Sequence, residues 1–250
     1  MDEPILATSG LTKEFRGFAA VRGVDLTVRR GTIHALIGPN GAGKTTVFNL
    51  LTKFLAPTAG RIVFKGRDIT GAHPAAVARL GMVRSFQISA VFPHLSVVEN
   101  VRLALQRPLG TSFHFWRSGK SLDALEGEVD RVLAEVSLGP YRDLPAADLP
   151  YGRKRALEFA TTLALAPELM LLDEPMSGLG AEDIGRISAL IRRAAQHCTV
   201  LMVEHNLSVV ADLSDVITVL TRGQVLAEGS YAEVADNPEV REAYLGTGHA

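Results

Sequence analysis

The sequence predicts an α/β fold that combines a mixed, mostly parallel sheet with a smaller antiparallel sheet and an inserted helical subdomain. After residue 168, apolar runs of strand length alternate with amphipathic helical segments, which is the pattern of a parallel sheet covered by helices. Between residues 5 and 66, short β-type runs are separated by glycine-containing turns, and this predicts antiparallel pairing. Helical spacing dominates from about 89 to 164.

These patterns define the predicted elements in chain order. The predicted strands are Leu26–Val28, Thr32–Ile37, Arg61–Lys65, Leu169–Asp173, Thr199–Val203, Val216–Leu220 and Gln224–Glu228. The predicted helices are Thr45–Phe54, Ser96–Gln106, Leu122–Val136, Glu182–Gln196 and Leu207–Leu213. We expect a single domain over 1–250. In it, about 1–88 and 165–250 form a core that includes the antiparallel part, and about 89–164 form the helical subdomain.

Composition narrows the class of protein. A length of 250 residues suits one sizeable domain, and a net charge of −1 gives no indication that nucleic acid is the main partner. The single cysteine, Cys198, has no partner within the chain, which suits a reducing cytosol. No apolar run reaches the roughly 18–20 residues that cross a bilayer, and Met1–Pro4 lacks the features of a secretion signal. We therefore expect a cytoplasmic protein.

The segment Gly38–Thr46 matches the pattern G-x-x-x-x-G-K-[ST] at every fixed position. Its glycines let backbone N–H groups point inward at phosphate oxygens, Lys44 adds a positive charge, and the Thr45 hydroxyl is a ligand for Mg²⁺. A strand-like segment precedes the loop and a helical one follows, so that the loop lies at a helix N-terminus, which favours anions. The pattern predicts a P-loop nucleoside triphosphatase with a RecA-like core that binds ATP and Mg²⁺. The predicted nucleotide-binding residues of this loop are Gly38, Pro39, Asn40, Gly41, Ala42, Gly43, Lys44, Thr45 and Thr46.

Two acidic residues, Asp173 and Glu174, end a buried strand-like segment. The carboxyl end of a parallel strand meets the ligand crevice of an α/β sheet. We expect Asp173 to hold Mg²⁺ through water and Glu174 to polarise the water that attacks the γ-phosphate. His205 follows the next apolar strand-like segment, and a neighbouring parallel strand would place it beside Glu174 as a further catalytic residue.

With these segments, the chain resembles the nucleotide-binding subunit of an ATP-binding-cassette (ABC) transporter from about Ile5 to Gly246. Gln87 matches the family's glutamine loop, which implies that it touches the metal ion and the catalytic water. Phe15 matches the aromatic residue that stacks on adenine, although a core position is an equally ordinary place for a phenylalanine.

The family signature and the D-loop depart from their usual residues. The resemblance implies that Tyr151, Gly152 and Arg153 of the signature bind nucleotide. Pro150 stands in place of the usual serine, Arg153 in place of the usual glutamine, and Gly180 in place of the D-loop aspartate. In this family two cassettes enclose two ATP molecules, and each site joins one chain's P-loop to the other chain's signature. The departures imply a heterodimer with a second ABC ATPase and a weaker site at this chain's signature, with a homodimer as the alternative.

Within the family, the chain is most similar to the larger ATPase subunit of branched-chain amino acid importers. Tyr151–Gly152, Val203–Asn206, the lengthened stretch 106–122 and the ending Asn237–Gly246 carry this resemblance. It implies ATP hydrolysis that drives import of branched-chain amino acids or a related small polar solute. The implied partners are two integral membrane permease subunits and, indirectly, a solute-binding protein, at the cytoplasmic face of the inner membrane.

Two other functions and the roles of two segments stay open at this point. A lipopolysaccharide exporter subunit has a similar length and C-terminal pattern, and a soluble ABC ATPase of DNA repair or translation belongs to a different class. The basic residues Arg153–Arg155 either favour a bound triphosphate or form a solvated helix face. Phe113–Arg117 is either a partly buried loop or a contact with the permease or lipid headgroups, whereas the main permease groove is expected near Val91–Leu95.

Overall fold

The computed structural model describes residues 3–85, 91–106 and 125–245. These residues form two compact units. The core unit comprises residues 1–84, 168–175 and 195–250, and the helical unit comprises residues 85–167 and 176–194. The boundaries of the helical subdomain near 89 and 164, inferred from the sequence, stay a prediction. The helix that follows residue 180 was expected in the core and groups here with the helical unit.

The strands and helices of the described residues are numbered in chain order. The strands are β1 (Pro4–Phe15), β2 (Phe18–Arg29), β3 (Ile33–Ile37), β4 (Ala59–Phe64), β5 (Arg67–Asp68), β6 (Met82–Ser85), β7 (Leu169–Asp173), β8 (Thr199–Val203), β9 (Val216–Thr221) and β10 (Gln224–Gly229). The helices are α1 (Lys44–Leu51), α2 (Pro74–Arg79), α3 (Val97–Gln106), α4 (Glu126–Glu135), α5 (Tyr151–Leu163), α6 (Ala181–Ala194), α7 (Leu207–Leu213), α8 (Tyr231–Asp236) and α9 (Pro238–Leu245).

The core unit contains both predicted sheets. One is antiparallel, in the order β2-β1-β4-β5, and the other has six strands in the order β10-β9-β3-β8-β7-β6. Strands β9, β3, β8 and β7 run parallel, and β10 pairs antiparallel with β9. Every residue of β3, β7 and β8 is buried, as expected for central strands of a parallel sheet.

The register of the parallel strands determines where their carboxyl ends lie. Leu36 of β3 and Asp173 of β7 both pair with Val203 of β8. The segments that follow these three strands therefore begin at the same edge of the sheet. Helix α1 packs its buried side chains into the apolar core between the sheets, with Phe48 fully buried.

In the described part of the helical unit, α3, α4, α5 and α6 pack against one another. Asn100 of α3 is almost fully buried, and its amide group bonds the preceding loop: it accepts from the Phe92 N–H at 2.7 Å and donates to the carbonyl oxygens of Phe92 and Leu95. These bonds satisfy a buried polar group and hold the loop before α3 in one conformation.

Two predicted elements differ from the structure by three residues or more at one end, and a third is described only in part. The run Leu26–Val28 is only the end of the 12-residue strand β2, because register shifts along β1 and β2 interrupt the strict alternation that predicts a strand. Helix α1 ends at Leu51 instead of Phe54, since Lys53 has a left-handed φ of 65°. The described part of the predicted helix Leu122–Val136 is α4, Glu126–Glu135.

Candidate functional site

The phosphate loop joins β3 to α1 and depends on three glycines with positive φ. The φ values are 149° at Gly38, 78° at Gly41 and 104° at Gly43. Gly43 is the N-cap of α1, and the helix has neither a side-chain cap nor an acidic residue in its first turn. The first N–H groups of α1 are therefore left to an external acceptor, and the helix dipole favours an anion there.

Close packing against backbone atoms explains two of these glycines. A Cβ atom at Gly43 would lie 2.7 Å from the carbonyl oxygen of Ala20, and one at Gly38 would overlap the carbonyl oxygen of Leu220. The Gly223 N–H also donates to the Ala42 carbonyl at 3.0 Å. The loop is thus supported by β2 and by the β9–β10 turn, at a distance that only glycine permits.

Lys44 lies across the loop. Its Nζ donates to the carbonyl oxygens of Gly38 at 2.6 Å and Pro39 at 3.0 Å. Burial lowers the pKa of Lys44, while the negative charges of Glu174 and Asp173 act in the opposite direction. The two carboxylates predicted to act with this lysine are therefore close enough to affect its charge. Thr45, in the first turn of α1, is exposed.

Asp173 is held by an arginine that sequence reasoning missed. The Asp173 carboxylate forms an ion pair with Arg84 Nη2, and the two side chains are only 3 % and 11 % exposed. Arg84 Nη1 donates to the Asn49 side chain at 2.6 Å. Asp173 is thus fixed in position at the end of β7. No sequence signal identifies Arg84, because its partner is 89 residues away.

Glu174 and His205 follow the neighbouring strands β7 and β8. Glu174 has a left-handed φ of 48°, and its N–H donates to the Val203 carbonyl at 2.9 Å. A non-glycine residue in this conformation is a recurrent feature of functional sites. The His205 side chain is 63 % exposed, and the backbone N–H of His205 donates to the buried Glu204 carboxylate at 2.9 Å. The fold therefore brings both residues to the edge of the sheet where the phosphate loop begins.

Of two other predicted site residues, the structure describes Phe15 but not Gln87. Phe15 at the end of β1 is 43 % exposed, and Lys13 Nζ lies 5.2 Å from its ring centroid. Its ring is not a core side chain, so that a face is available for stacking. Gln87, like the segment Phe113–Arg117, lies outside the described residues.

The signature residues lie at the start of α5 in the helical unit. Helix α5 begins after Pro150 without a side-chain cap, and the Tyr151 hydroxyl donates to the Ser177 carbonyl at 3.2 Å. The Asp183 carboxylate lies directly against Gly152, in the space that a Cβ atom would need. Arg153 donates to the Ser137 carbonyl at 3.2 Å. Of the basic residues Arg153–Arg155, Arg153 is therefore hydrogen-bonded within the helical unit.

Comparisons with known proteins show which family the chain is similar to. The family model described as ABC transporter matches residues 21–177, and one described as branched-chain amino acid ATP-binding cassette transporter matches residues 224–250. The chain is 41 % identical to the high-affinity branched-chain amino acid transport ATP-binding protein BraF of Pseudomonas aeruginosa, over 98 % of this chain and 99 % of BraF. It is 38 % identical to the corresponding protein LivG of Salmonella typhimurium, over 98 % of this chain and 99 % of LivG.

The chain belongs to the ABC transporter family. Its fold is similar to the solved structure of the ABC transporter cassette MJ1267 in its ADP conformation, with a TM-score of 0.83, 30 % identity and coverage of 98 % and 99 % of the two chains. The ABC ATPase fold predicted from the sequence is confirmed, and the protein is an ATPase that binds ATP and powers transport. ABC ATPase subunits dimerise and associate with membrane permeases. Within the described residues, every helix is too short or too polar to span a bilayer.

Proposed function

We propose that this chain is the ATP-hydrolysing subunit of an importer of branched-chain amino acids or a related small polar solute. The observation that carries the proposal is the meeting of the phosphate loop, Asp173, Glu174 and His205 at one sheet edge. The family matches support the type of transporter, since the C-terminal model covers 224–250 and the relatives named above transport branched-chain amino acids.

The residues at this edge fit a magnesium ion bound together with ATP. Mg²⁺ prefers oxygen ligands and keeps several waters and phosphate oxygens in its shell. The Thr45 hydroxyl and the Asp173 carboxylate supply such oxygens, with Gln87 as the further predicted ligand. Among residues 3–85, 91–106 and 125–245, no three His, Cys, Asp or Glu side chains gather as a metal cluster. When bound, the ion would neutralise phosphate charge during cleavage.

Each predicted site residue has a defined role in this proposal. The phosphate-loop N–H groups and Lys44 hold the triphosphate of the substrate, and the exposed ring of Phe15 stacks on adenine. Glu174 takes the proton of the attacking water, and the mostly exposed His205 donates to the γ-phosphate oxygens. Tyr151, Gly152 and Arg153 face the nucleotide of the partner cassette. Lys44 is held ready at the loop by Gly38 and Pro39, so that substrate phosphates replace these carbonyl acceptors.

The proposed assembly contains a second ABC ATPase, two permeases and, indirectly, a solute-binding protein, with this chain at the cytoplasmic face of the membrane. The departures at Pro150, Arg153 and Gly180 support a heterodimer, because they weaken the site that uses this chain's signature. The loop before α3 is the proposed permease contact. Its Phe92 side chain is 58 % exposed although its backbone is fixed by Asn100.

A paired substitution tests this function. Glu174→Gln in the reconstituted transporter is expected to stop hydrolysis and transport while labelled ATP still binds. The matching change in the sibling ATPase should reduce transport less. Glu128→Gln, on the surface of α4, is the control and should leave both activities intact. Equal losses from the two glutamate substitutions would exclude the asymmetry, and unchanged hydrolysis in Glu174→Gln would exclude Glu174 as the base.

A further inference from the structure

A groove of about 530 Å³ lies on the outer side of the phosphate loop, within the core unit. The loop forms one wall, the β9–β10 turn a second, and α9 a third. The lining residues are Pro39, Asn40, Gly41, Ala42, Thr221, Arg222, Leu226, Glu239, Glu242 and Ala243. Lys44, Thr45, Asp173 and Glu174 do not line this groove, so it is separate from the phosphate-binding face of the loop. Its volume lies in the range of small-molecule sites.

Opposite charges face this groove from different walls. Arg222 lies on the β9–β10 turn, and Glu239 and Glu242 lie on α9. The ion pair near this helix joins Arg241 to Asp236, and none found in the described part of the chain joins Arg222 to either glutamate. The two signs of charge are therefore separated across the groove. Leu226 and Ala243 contribute apolar surface beside them.

We propose that this groove binds a free α-amino acid with an aliphatic side chain. The planar guanidinium of Arg222 suits a carboxylate group, Glu239 and Glu242 suit an ammonium group, and the apolar wall suits a short hydrocarbon chain. A zwitterion satisfies both walls at once, whereas an inorganic anion or cation satisfies only one. The identity of the solute class rests on the proposed importer function, but the groove itself does not.

A hydrogen bond joins α9, which forms one wall of the groove, to the start of the phosphate loop. The Gly38 N–H donates to the hydroxyl of Tyr244 on α9, and burial raises the pKa of that hydroxyl to about 12, so that it stays neutral. Asn40 and Gly41 belong both to the phosphate loop and to the groove wall. Occupancy of the groove therefore changes the affinity for ATP, and ATP changes the affinity for the amino acid by the same factor.

One wall of the groove belongs to the C-terminal segment that matches the branched-chain importer type. The general ABC transporter model ends at residue 177, whereas the branched-chain type model covers 224–250, which includes Leu226, Glu239, Glu242 and Tyr244. The groove is thus formed by the segment that matches this importer type, placed against the loop common to all cassettes. This is the arrangement expected of a site that adjusts ATP use to the amino acid.

Titration calorimetry of the full chain with L-leucine tests the binding site. We expect saturable binding, at least tenfold weaker for leucinamide, which lacks the carboxylate, and for 4-methylpentanoate, which lacks the ammonium group. Arg222→Asn should weaken leucine binding at least tenfold. Arg16→Asn is the matched control, because Arg16 and Arg222 both precede glycine in two-residue hairpin turns, with φ values of 48° and 47°.

A second variant tests the connection to the loop. Tyr244→Phe removes the acceptor of the Gly38 N–H, so leucine should still bind but should no longer change the ATP affinity. Absence of saturable leucine binding, or equal loss in Arg222→Asn and Arg16→Asn, would overturn the site. Labelled-ATP binding is measured on the same samples. If the unmodified chain binds ATP but not leucine, only the groove proposal is rejected. If the unmodified chain does not bind ATP, the proposed function is rejected.

Discussion

Two helix starts in this protein look alike locally but differ in what faces them. Both α1 and α5 begin without a side-chain cap and without an acidic residue in the first turn. At α1, Gly43 is enclosed by backbone atoms, with the Ala20 carbonyl oxygen 2.7 Å from the position of a Cβ atom. At α5, Gly152 is covered by the carboxylate of Asp183 from α6.

The difference concerns what encloses the glycine at each helix start. Backbone atoms enclose Gly43 next to Lys44, whereas at α5 a side chain of the same unit lies against Gly152. The glycine of α1 is thus required by rigid surroundings, and the glycine of α5 by a side chain that can move.

The largest expected effect is that of Gly43→Ala. The left-handed conformation and the overlap with the Ala20 carbonyl together cost about 4 kcal/mol. If the loop changes its conformation to relieve this strain, the cost corresponds to roughly a thousandfold loss of ATP affinity. Equilibrium binding of labelled ATP measures this change. Gly31→Ala is the control, because Gly31 also has a left-handed φ, of 69°, but a Cβ atom there would meet nothing within 4 Å. Retained affinity in Gly43→Ala would mean that the loop tolerates a side chain.

Arg84→Met tests how firmly the Asp173 carboxylate is held at the phosphate-binding side. Removing one partner of the buried pair leaves Asp173 without its compensating charge and should lower the free energy of unfolding by about 3 kcal/mol. Urea denaturation provides the measurement. Arg61→Met is a control, since its pair with Asp68 is exposed and should contribute under about 1 kcal/mol. Similar losses in the two variants would contradict the importance of burial.

A pH titration tests the strand that leads into the phosphate loop. Burial, with a smaller effect of the Arg29 charge, lowers the pKa of His34 on β3 to about 4. The unfolded chain takes up this proton near pH 6.5 and the folded chain only near 4, so folding stability is complete above 6.5 and falls as the pH drops. We expect a loss of about 2 kcal/mol at pH 5. His34→Gln should show a smaller loss over the same range; an equal loss would contradict this assignment.

The smallest expected effect is that of Gly152→Ala. The new methyl group displaces the Asp183 carboxylate, which can rotate away, so the cost should be about 1 kcal/mol in thermal unfolding. Asp183→Ala removes the obstacle, and the double variant should lose less than the sum of the two single changes. Strict additivity would show that Gly152 and Asp183 do not interact.

Much of the candidate site could be predicted because its residues lie close together in the chain. The glycines and Lys44 occupy one loop, and Asp173 and Glu174 are adjacent, so that spacing alone indicates their chemistry. The partners of these residues could not be predicted in the same way. Arg84 reaches Asp173 across 89 residues, and Tyr244 reaches Gly38 from the C-terminal helix. Single polar residues at such separations carry no pattern.

The two sheets illustrate the same limit in the fold. Apolar runs in β3, β7 and β8 identify buried central strands, because burial on both faces demands apolar side chains throughout. Strands β1 and β2 contain bulges, which break the alternation by which strands are recognised. Local residue chemistry was enough to predict a P-loop nucleotide-binding protein, and the resemblance of its motifs added the ABC transporter family. The support of the loop by Ala20, Leu220 and Gly223, and the carboxylate at Gly152, follow from close packing of distant segments, which exists only in the folded chain.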